Sequence, residues 1–213
     1  MIKVELISHF GDDLMIVNVA RVSYGKEVTS FGEKDQKLIN YLVKHGHTSP
    51  FRHPQLQFRI TCPIYVERQL FKHQVGLSAN SISGRYVDFS DSYTTIKEWR
   101  KQSTSSKQGS EGVVDNQTIC SEIEERIIHE CSRAYELLIE QGVSKEQART
   151  ILPLNLNTSF IWTGSMLSFI HLFNLRLKPD AQQETREVAQ MMLSHIKNIE
   201  GNPFEHTLKA FNF

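Results

Sequence analysis

After Asn116, apolar side chains recur at every fourth position, as Ile119, Ile123, Ile127 and Cys131. A four-residue repeat places successive side chains along one face of an α-helix. The pattern therefore predicts a long helix that begins at residue 116.

The rest of the C-terminal half carries further helix signals. The stretches 165–176 and 180–198 predict two helices, the second with Pro179 at its start. Ser144 is suited to cap a short helix that runs through Arg149. The C-terminal half is therefore predicted to form a helical bundle.

The N-terminal half shows a different period. Leu56, Phe58 and Ile60 alternate with polar residues, and residues 2–8 alternate in the same way. A period of two is typical of strands with one buried face. Because residues 33–45 have helical spacing, strands and helices mix here too.

These patterns predict an α+β fold with a small antiparallel or mixed sheet and a helical bundle. A length of 213 residues suits a single domain over residues 1–213. Residues 101–116 are rich in Ser, Gly and Gln, and we expect a flexible surface loop there.

The charges balance, with 24 Lys and Arg against 24 Asp and Glu. Binders of nucleic-acid polymers usually carry a basic excess, so we expect no such partner. The 3 cysteines form no Cys-x-x-Cys pair, which fits reduced thiols. No signal-peptide stretch and no run of about 20 apolar residues occurs. We therefore expect a cytoplasmic protein with no membrane partner.

Histidines cluster at His45, His47 and His53. No carboxylate or cysteine joins them at a metal-ligand spacing, so we expect no metal. Gly46 and Pro50 between them favour a structured turn whose polar groups face a ligand.

Gln69, Lys72 and His73 follow Pro63, which suits the first turn of a helix. On a helix these three side chains share one face. A solvated polar face is the alternative that spacing alone favours. Residues 78–86 then bring several hydroxyls, Gly84 and Arg85, a combination suited to a phosphate.

Arg176 follows an apolar run, so its guanidinium needs an anion, a polar ligand or solvent. An ion pair with Asp180 or Glu184 is the structural alternative. His171 lies within the same apolar run, where a hydrogen-bonded core histidine is the default interpretation.

Several short segments, in this order along nearly the whole chain, resemble flavin-dependent thymidylate synthases of the ThyX type. They are Ala20-Arg21-Val22-Ser23, His45-Gly46-His47-Thr48-Ser49-Pro50-Phe51, Arg68-Gln69-Leu70-Phe71, Ser83-Gly84-Arg85-Tyr86, Ala148-Arg149 with Leu152-Pro153-Leu154-Asn155, and Asn174-Leu175-Arg176.

The resemblance implies an enzyme that methylates dUMP to dTMP. Its carbon donor would be 5,10-methylenetetrahydrofolate, and NADPH would reduce a bound FAD. The resemblance also implies a homotetramer in which several subunits build each active site.

The resemblance also implies roles for individual residues. The dUMP-binding residues would be Gln69, Lys72, Ser81, Ile82, Ser83, Gly84, Arg85, Arg149 and Arg176. The FAD-binding residues would be Ser49, Lys72, His73, Gln74, Ser81, Ser165, Leu167 and His171. Arg176 would be the catalytic residue, stabilising negative charge on the pyrimidine ring. Separately from the resemblance, no cysteine lies beside a paired histidine that would activate it, so we expect no cysteine nucleophile.

The chain departs from the family signature, which begins Arg-His-Arg and places seven residues before Ser-Gly-Arg-Tyr. Here the triplet is Lys72-His73-Gln74, and the eight residues 75–82 precede Ser83. Ser81 stands where the family often has Glu, and Ser165-Met166-Leu167 stands in place of Asn-x-Arg. Two alternatives stay open: a related flavoenzyme that modifies C5 of a pyrimidine nucleotide, for example by hydroxymethylation, and a non-catalytic nucleotide- or flavin-binding relative.

Overall fold

The computed structural model describes residues 1–87, 92–105, 107 and 109–213. Its strands are β1 (Lys3–Phe10), β2 (Gln55–Pro63), β3 (Leu77–Ser81), β4 (Arg100–Gln102), β5 (Ser110–Val113) and β6 (Asn157–Ser165). Its α-helices are α1 (Asp13–Arg21), α2 (Glu33–Lys44), α3 (Ile64–Leu70), α4 (Gln117–Glu140), α5 (Lys145–Ala148), α6 (Met166–Arg176), α7 (Gln183–Lys197) and α8 (Glu205–Ala210). Short 3-10 turns cover Val22–Tyr24, Ser49–Arg52 and Arg149–Ile151.

The main sheet has the strand order β1-β2-β6-β3, and all of its neighbouring strands are antiparallel. In β2 the alternation is confirmed, because Leu56, Phe58 and Ile60 are fully buried while Arg59 is exposed. The α+β class is therefore confirmed, with an antiparallel sheet.

Strand β6 lies at the centre of the sheet although it comes late in the chain. Phe160 and Trp162 are buried on it, next to Gly164. A Cβ at Gly164 would lie 2.3 Å from Cδ2 of Leu77 and 2.7 Å from the carbonyl oxygen of Gly76. The missing side chain thus lets β3 pair closely with β6. The sequence predicts a helical bundle for the C-terminal half, and strand β6 is a correction to it.

The main core joins the sheet to α3, α6 and α7. Helix α6 is apolar on almost all sides and most of its residues are buried, whereas α7 contributes one buried stripe that includes Val188, Met192 and Ile196. A second core cluster joins α1 to α2 and also contains Phe51 and Leu167. These two clusters fix the end of α6 relative to the sheet.

Strands β4 and β5 form a separate antiparallel hairpin. The sequence predicts a loop over 101–116, and the strands Arg100–Gln102 and Ser110–Val113 are a correction to it. Hydrogen bonds between the two strands form this hairpin. Its sequence has no alternation of apolar and polar residues, so it carries no strand signal. Residues 106 and 108 of the expected loop lie outside the described residues.

Helix α4 begins at Gln117, as predicted, and is described throughout. Its only buried residue is Tyr135. Ile119, Ile123 and Ile127 are 53%, 47% and 46% exposed, so the apolar stripe lies open in the single chain. None of the described helices is long and apolar enough to cross a lipid bilayer.

Candidate active site

Two chain segments that are about a hundred residues apart meet where α3 and α6 end. Arg176 is the last residue of α6, and its Nε donates a hydrogen bond to Nε2 of His73 at 2.9 Å. Its Nη2 donates to the carbonyl oxygen of Gln69 at 3.1 Å. Three of the residues selected from the sequence therefore lie in direct contact.

The path of the chain near His73 differs from the prediction that Gln69, Lys72 and His73 share a helix face. Helix α3 ends at Leu70, so Lys72 and His73 lie in a turn. Because of this turn, His73 points back to Arg176 while Lys72 is exposed.

Burial and neighbouring positive charge set the electrostatics of His73. Burial, then the charge of Arg176, then His171 lower its pKa from the ordinary 6.5 to about 4. The imidazole is therefore neutral at pH 7. Burial also lowers the pKa of Arg176, but a guanidinium keeps its charge at any physiological pH.

The side chain of Gln69 is held from two sides by the start of α7. Its Nε2 donates to Oε1 of Gln182, and its Oε1 accepts a hydrogen bond from Oγ1 of Thr185 at 3.1 Å. Thr185 is fully buried. The amide of Gln69 is therefore fixed, while its backbone carbonyl accepts hydrogen bonds from the N–H of Lys72 at 3.3 Å and from Arg176.

A cavity of about 780 Å³ lies next to these residues. Gln69 and Arg176 line it, and so does the β4–β5 hairpin through residues that include Gln102, Ser110 and Glu111. Pockets of roughly 300–1,000 Å³ are typical of small-molecule sites. The arrangement provides a permanent cation at the wall of a ligand-sized, polar cavity.

Of the other residues expected at dUMP, Lys72 lies next to His73, whereas residues 81–85 and Arg149 do not line this cavity. Ile82 continues the pairing of β3, its N–H donating to the carbonyl of Ser159 at 2.8 Å. Arg85 is exposed, and its backbone N–H and Nε donate to Oγ of Ser83 at 3.3 and 3.4 Å. Gly84 is buried beside it.

Arg149 is exposed as well, and its Nε donates to the carbonyl of Glu146 at 3.4 Å. Within residues 1–87, 92–105, 107 and 109–213, no hydrogen bond or ion pair joins Arg85 or Arg149 to Gln69 or Arg176. One chain thus brings together only part of the expected nucleotide site.

The residues expected at FAD divide by burial. Those exposed to solvent are Ser49, Lys72, Gln74, Ser81 and His171. The exposure of His171 overturns the default interpretation of a core histidine. Ser81 donates a hydrogen bond to Glu67 Oε1 at 3.0 Å, and burial raises the pKa of Glu67 despite this bond.

Two of the expected FAD residues are buried. Ser165 caps α6, its Oγ accepting from the N–H of Ser168 at 3.3 Å. Leu167 is 3% exposed and belongs to the second core cluster. The side chain of Ser165 therefore caps a helix and that of Leu167 packs in a core of this chain.

The alternative role of Arg176, an ion pair with Asp180 or Glu184, does not occur. Glu184 pairs instead with Arg100, Nη2 to Oε1 at 2.8 Å. Sequence reasoning missed Arg100 and the polar run at positions 182–185. Polar residues at the start of a helix are ordinary, so this run gave no signal of its own.

Cys62 and the described His, Cys, Asp and Glu side chains are the other candidates for a reactive centre or a metal site. Burial raises the pKa of the Cys62 thiol to about 12, so this residue is not an activated nucleophile. Among the described residues, no group of three or more His, Cys, Asp or Glu side chains is arranged to hold a metal ion.

Known proteins resemble this chain over most of its length. Residues 5–200 match the family model described as thymidylate synthase complementing protein. A flavin-dependent thymidylate synthase from Thermus thermophilus is 40% identical over 195 residues, which cover 91% of this chain and 71% of that protein. One from Kosmotoga olearia is 41% identical over 198 residues, covering 92% and 85% of the two chains.

A solved structure shares the fold. It is that of the UMP/dUMP methylase PolB from Streptomyces cacaoi bound with 5-Br dUMP, with a TM-score of 0.89 and 26% identity. The match covers 99% of this chain and 94% of that one. The family match over residues 5–200, together with these relatives, shows that the chain belongs to the flavin-dependent thymidylate synthase family.

Proposed function

We propose that this protein methylates dUMP at C5 to give dTMP, with FAD as cofactor and with 5,10-methylenetetrahydrofolate and NADPH as co-substrates. The observation that carries the proposal is the position of Arg176 at the wall of the cavity. Two of its nitrogens are held by His73 and Gln69. The third, Nη1, has no hydrogen-bond partner in the part of the chain that the structure describes.

Arg176 suits the chemistry of a pyrimidine that must become nucleophilic at C5. Negative charge then develops on the ring and its oxygens, and a fixed guanidinium stabilises that charge without reorganising. Because His73 is neutral and Gln69 offers a carbonyl, the positive charge of Arg176 is oriented but not neutralised. Arg176 is therefore the catalytic arginine of the proposed reaction.

Arg85 and Arg149 are suited to the phosphate of dUMP. Both are exposed, and a guanidinium can hold two phosphate oxygens at once. The backbone around Ser83 and Gly84 adds N–H donors. Since these residues lie apart from Arg176 within one chain, we infer that the phosphate and the uracil ring are bound by different subunits.

Some of the residues around His73 are suited to bind FAD and its pyrophosphate. Lys72 and Gln74 are exposed on either side of His73, and His171 lies close enough to lower the pKa of His73. These residues would hold the flavin, which when bound supplies the redox and carbon-transfer chemistry. Because His73 is neutral, the positive charge for the pyrophosphate comes from Lys72, and we expect some flavin to be lost during purification.

The open stripe of α4 supports the homotetramer. Ile119, Ile123 and Ile127 line one helix face and are about half exposed, and exposed apolar patches mark interfaces. A neighbouring apolar cavity of about 520 Å³ includes Leu154 in its lining. We expect the purified protein to be yellow and, in light scattering, to be a tetramer. Ile123→Glu should dissociate this tetramer. Ile7→Glu, which adds a charge at an exposed isoleucine on β1, should leave it intact.

Product analysis tests the proposal. The purified protein is incubated with FAD, NADPH, methylenetetrahydrofolate and dUMP, and the nucleotide product is identified by mass spectrometry. We expect dTMP. A hydroxymethyl product would favour the related C5-modifying enzyme, and nucleotide binding without NADPH oxidation would favour a non-catalytic relative.

A second candidate substrate is UMP. The structural neighbour at a TM-score of 0.89 is a methylase of both UMP and dUMP. The same assay with UMP in place of dUMP, and with both together in competition, separates the two substrates.

A further inference from the structure

A continuous set of hydrogen bonds connects the β4–β5 hairpin to Arg176. It begins at Arg100, whose Nη2 pairs with Oε1 of Glu184 at 2.8 Å. The other carboxylate oxygen of Glu184 accepts from Nε2 of Gln182 at 2.9 Å. Gln182 accepts from Gln69, and the carbonyl of Gln69 accepts from Arg176. Every link joins two described residues.

Arg100 is held at all of its nitrogens. Besides the pair with Glu184, its Nη1 donates to Oε1 of Gln183 at 2.8 Å. Its Nε donates to Oγ of Ser110 on the neighbouring strand at 2.8 Å. One side chain therefore connects β4, β5 and the start of α7, and so holds the hairpin residues that line the cavity.

The Arg100–Glu184 pair differs from the surface pairs. The side chains of Arg100 and Glu184 are 18% and 12% exposed, whereas those of Lys101 and Asp115 in the same hairpin are 52% and 87% exposed. A buried pair gives little net stability, since desolvation offsets the attraction. What such a pair provides is a defined geometry. Burial raises the pKa of Glu184, but the hydrogen bonds from Arg100, its own backbone and Gln182 outweigh it and lower that pKa.

We propose that Arg100 and Glu184 are positioning residues for the catalytic arginine, acting through Gln182 and Gln69 on the location of the Arg176 guanidinium. The inference rests on the proposed function of Arg176. It makes the β4–β5 hairpin a working part of the active site. Arg100 itself lines the cavity, so the KM for dUMP of its variants separates positioning of Arg176 from direct contact with the substrate.

The pKa of His73 provides a readout that does not depend on catalysis. Burial lowers this pKa most, and the charge of Arg176, whose Nε lies 2.9 Å from Nε2 of His73, lowers it further. If the guanidinium moves away, the pKa of His73 rises from about 4 toward 6.5. NMR titration of the His73 ring measures this in the apoprotein.

The experiment compares Arg100→Gln and Glu184→Gln with the control Lys101→Gln, which breaks only the exposed pair with Asp115. We expect both test variants to lower kcat by about 10- to 100-fold, because small displacements of catalytic groups have effects of this size. The KM for dUMP should change little, and the pKa of His73 should rise. The control should leave all three unchanged. Arg100→Lys retains the ion pair and should recover most of the rate.

Three outcomes would overturn the inference. The first is folded variants with normal kcat and an unchanged His73 pKa. The second is a fall in kcat with no shift of the His73 pKa, because Arg176 would then not have moved. The third is unfolding of both Gln variants, since the pair would then serve the fold. If the wild-type protein makes no dTMP, the proposed function fails, while the His73 titration still decides whether Arg100 and Glu184 control Arg176.

Discussion

Arg176 donates a hydrogen bond from Nε to Nε2 of His73 over 2.9 Å. A guanidinium has no acceptor, so Nε2 of His73 must carry the lone pair and Nδ1 the proton. The contact therefore defines both the charge and the tautomer of the histidine. It also links the turn after α3 to the end of α6, the two segments that carry much of the family signature.

Replacing Arg176 with Ala should reduce dTMP formation by about 100- to 1000-fold at saturating dUMP, since a partner of transition-state charge is lost. The assay scores dTMP alongside thermal stability and flavin content. Arg176→Lys keeps the charge but loses the planar fork, so a large defect there would assign part of the effect to geometry. A folded, flavin-containing Ala variant with near wild-type turnover would remove Arg176 from the mechanism.

His73 should make the protein less stable as the pH falls from about 6.5 to about 4. The pKa is lowered in the folded state, so in this window the unfolded chain binds more protons than the folded one. The free energy of unfolding therefore falls with the pH. His73→Gln retains an acceptor for Arg176 and does not titrate. In urea unfolding of the apoprotein, the advantage of wild type over this variant should shrink as the pH falls, and an advantage independent of pH would contradict the assignment.

Thr207 should stabilise the charged form of Asp13. Its Oγ1 donates to the buried carboxylate at 2.5 Å, and burial nevertheless raises the pKa of Asp13 above its usual range. Thr207→Val removes this bond, which should lower the free energy of unfolding by about 1.5–3 kcal/mol at pH 7. Thr207→Ser keeps the hydroxyl and should lose less.

The pH dependence of that loss follows from the sign of the pKa shift. Without the hydrogen bond from Thr207, the pKa of Asp13 rises further, so the folded variant takes up a proton at higher pH than wild type. The deficit of Thr207→Val should therefore be largest at neutral pH and shrink as the carboxyl becomes protonated. Urea unfolding at several pH values measures it, and a constant deficit would show that the carboxylate is not the affected group.

Local patterns were enough to predict elements with a regular apolar spacing, whether the apolar face is buried, as in β2, or open in the single chain, as in α4. The alternation of Leu56, Phe58 and Ile60 predicted β2, and the four-residue repeat predicted α4. Strand β3 was missed because its polar sequence carries no alternation, and its pairing with β6 depends on a glycine more than 80 residues away.

The site prediction was incomplete for the same physical reason, namely that local sequence does not show contacts between distant segments. Gln69, His73 and Arg176 were found through the family signature, and they do meet. Arg100 and Glu184 were not found, because their role comes from contacts between a hairpin and a helix that no local spacing encodes. Leu167 was expected at the flavin from its position in the signature, but its side chain packs in a core.

Gly76 lies in the segment between His73 and β3. Its φ is +71°, and a Cβ there would lie 2.4 Å from Oγ of Ser168. That hydroxyl already donates to the carbonyl of Gly76 at 3.2 Å. Gly76→Ala should therefore combine backbone strain with overpacking, and should lower the free energy of unfolding by about 2–4 kcal/mol.

Gly142 is the matched control, since its φ is +82° and, apart from its two chain neighbours, no described residue has a heavy atom within 4 Å of the Cβ position. Gly142→Ala should lower the free energy of unfolding by only about 1–2 kcal/mol, because a side chain disfavours only the left-handed backbone conformation there. The double variant Gly76→Ala/Ser168→Ala removes the clashing hydroxyl and should be more stable than the sum of the two single losses predicts. The cycle is completed by chemical unfolding of the wild type, Gly76→Ala, Ser168→Ala and the double variant. Gly142→Ala is unfolded alongside as the control. Strict additivity, or equal losses at Gly76 and Gly142, would show that the backbone conformation alone explains the glycine at position 76.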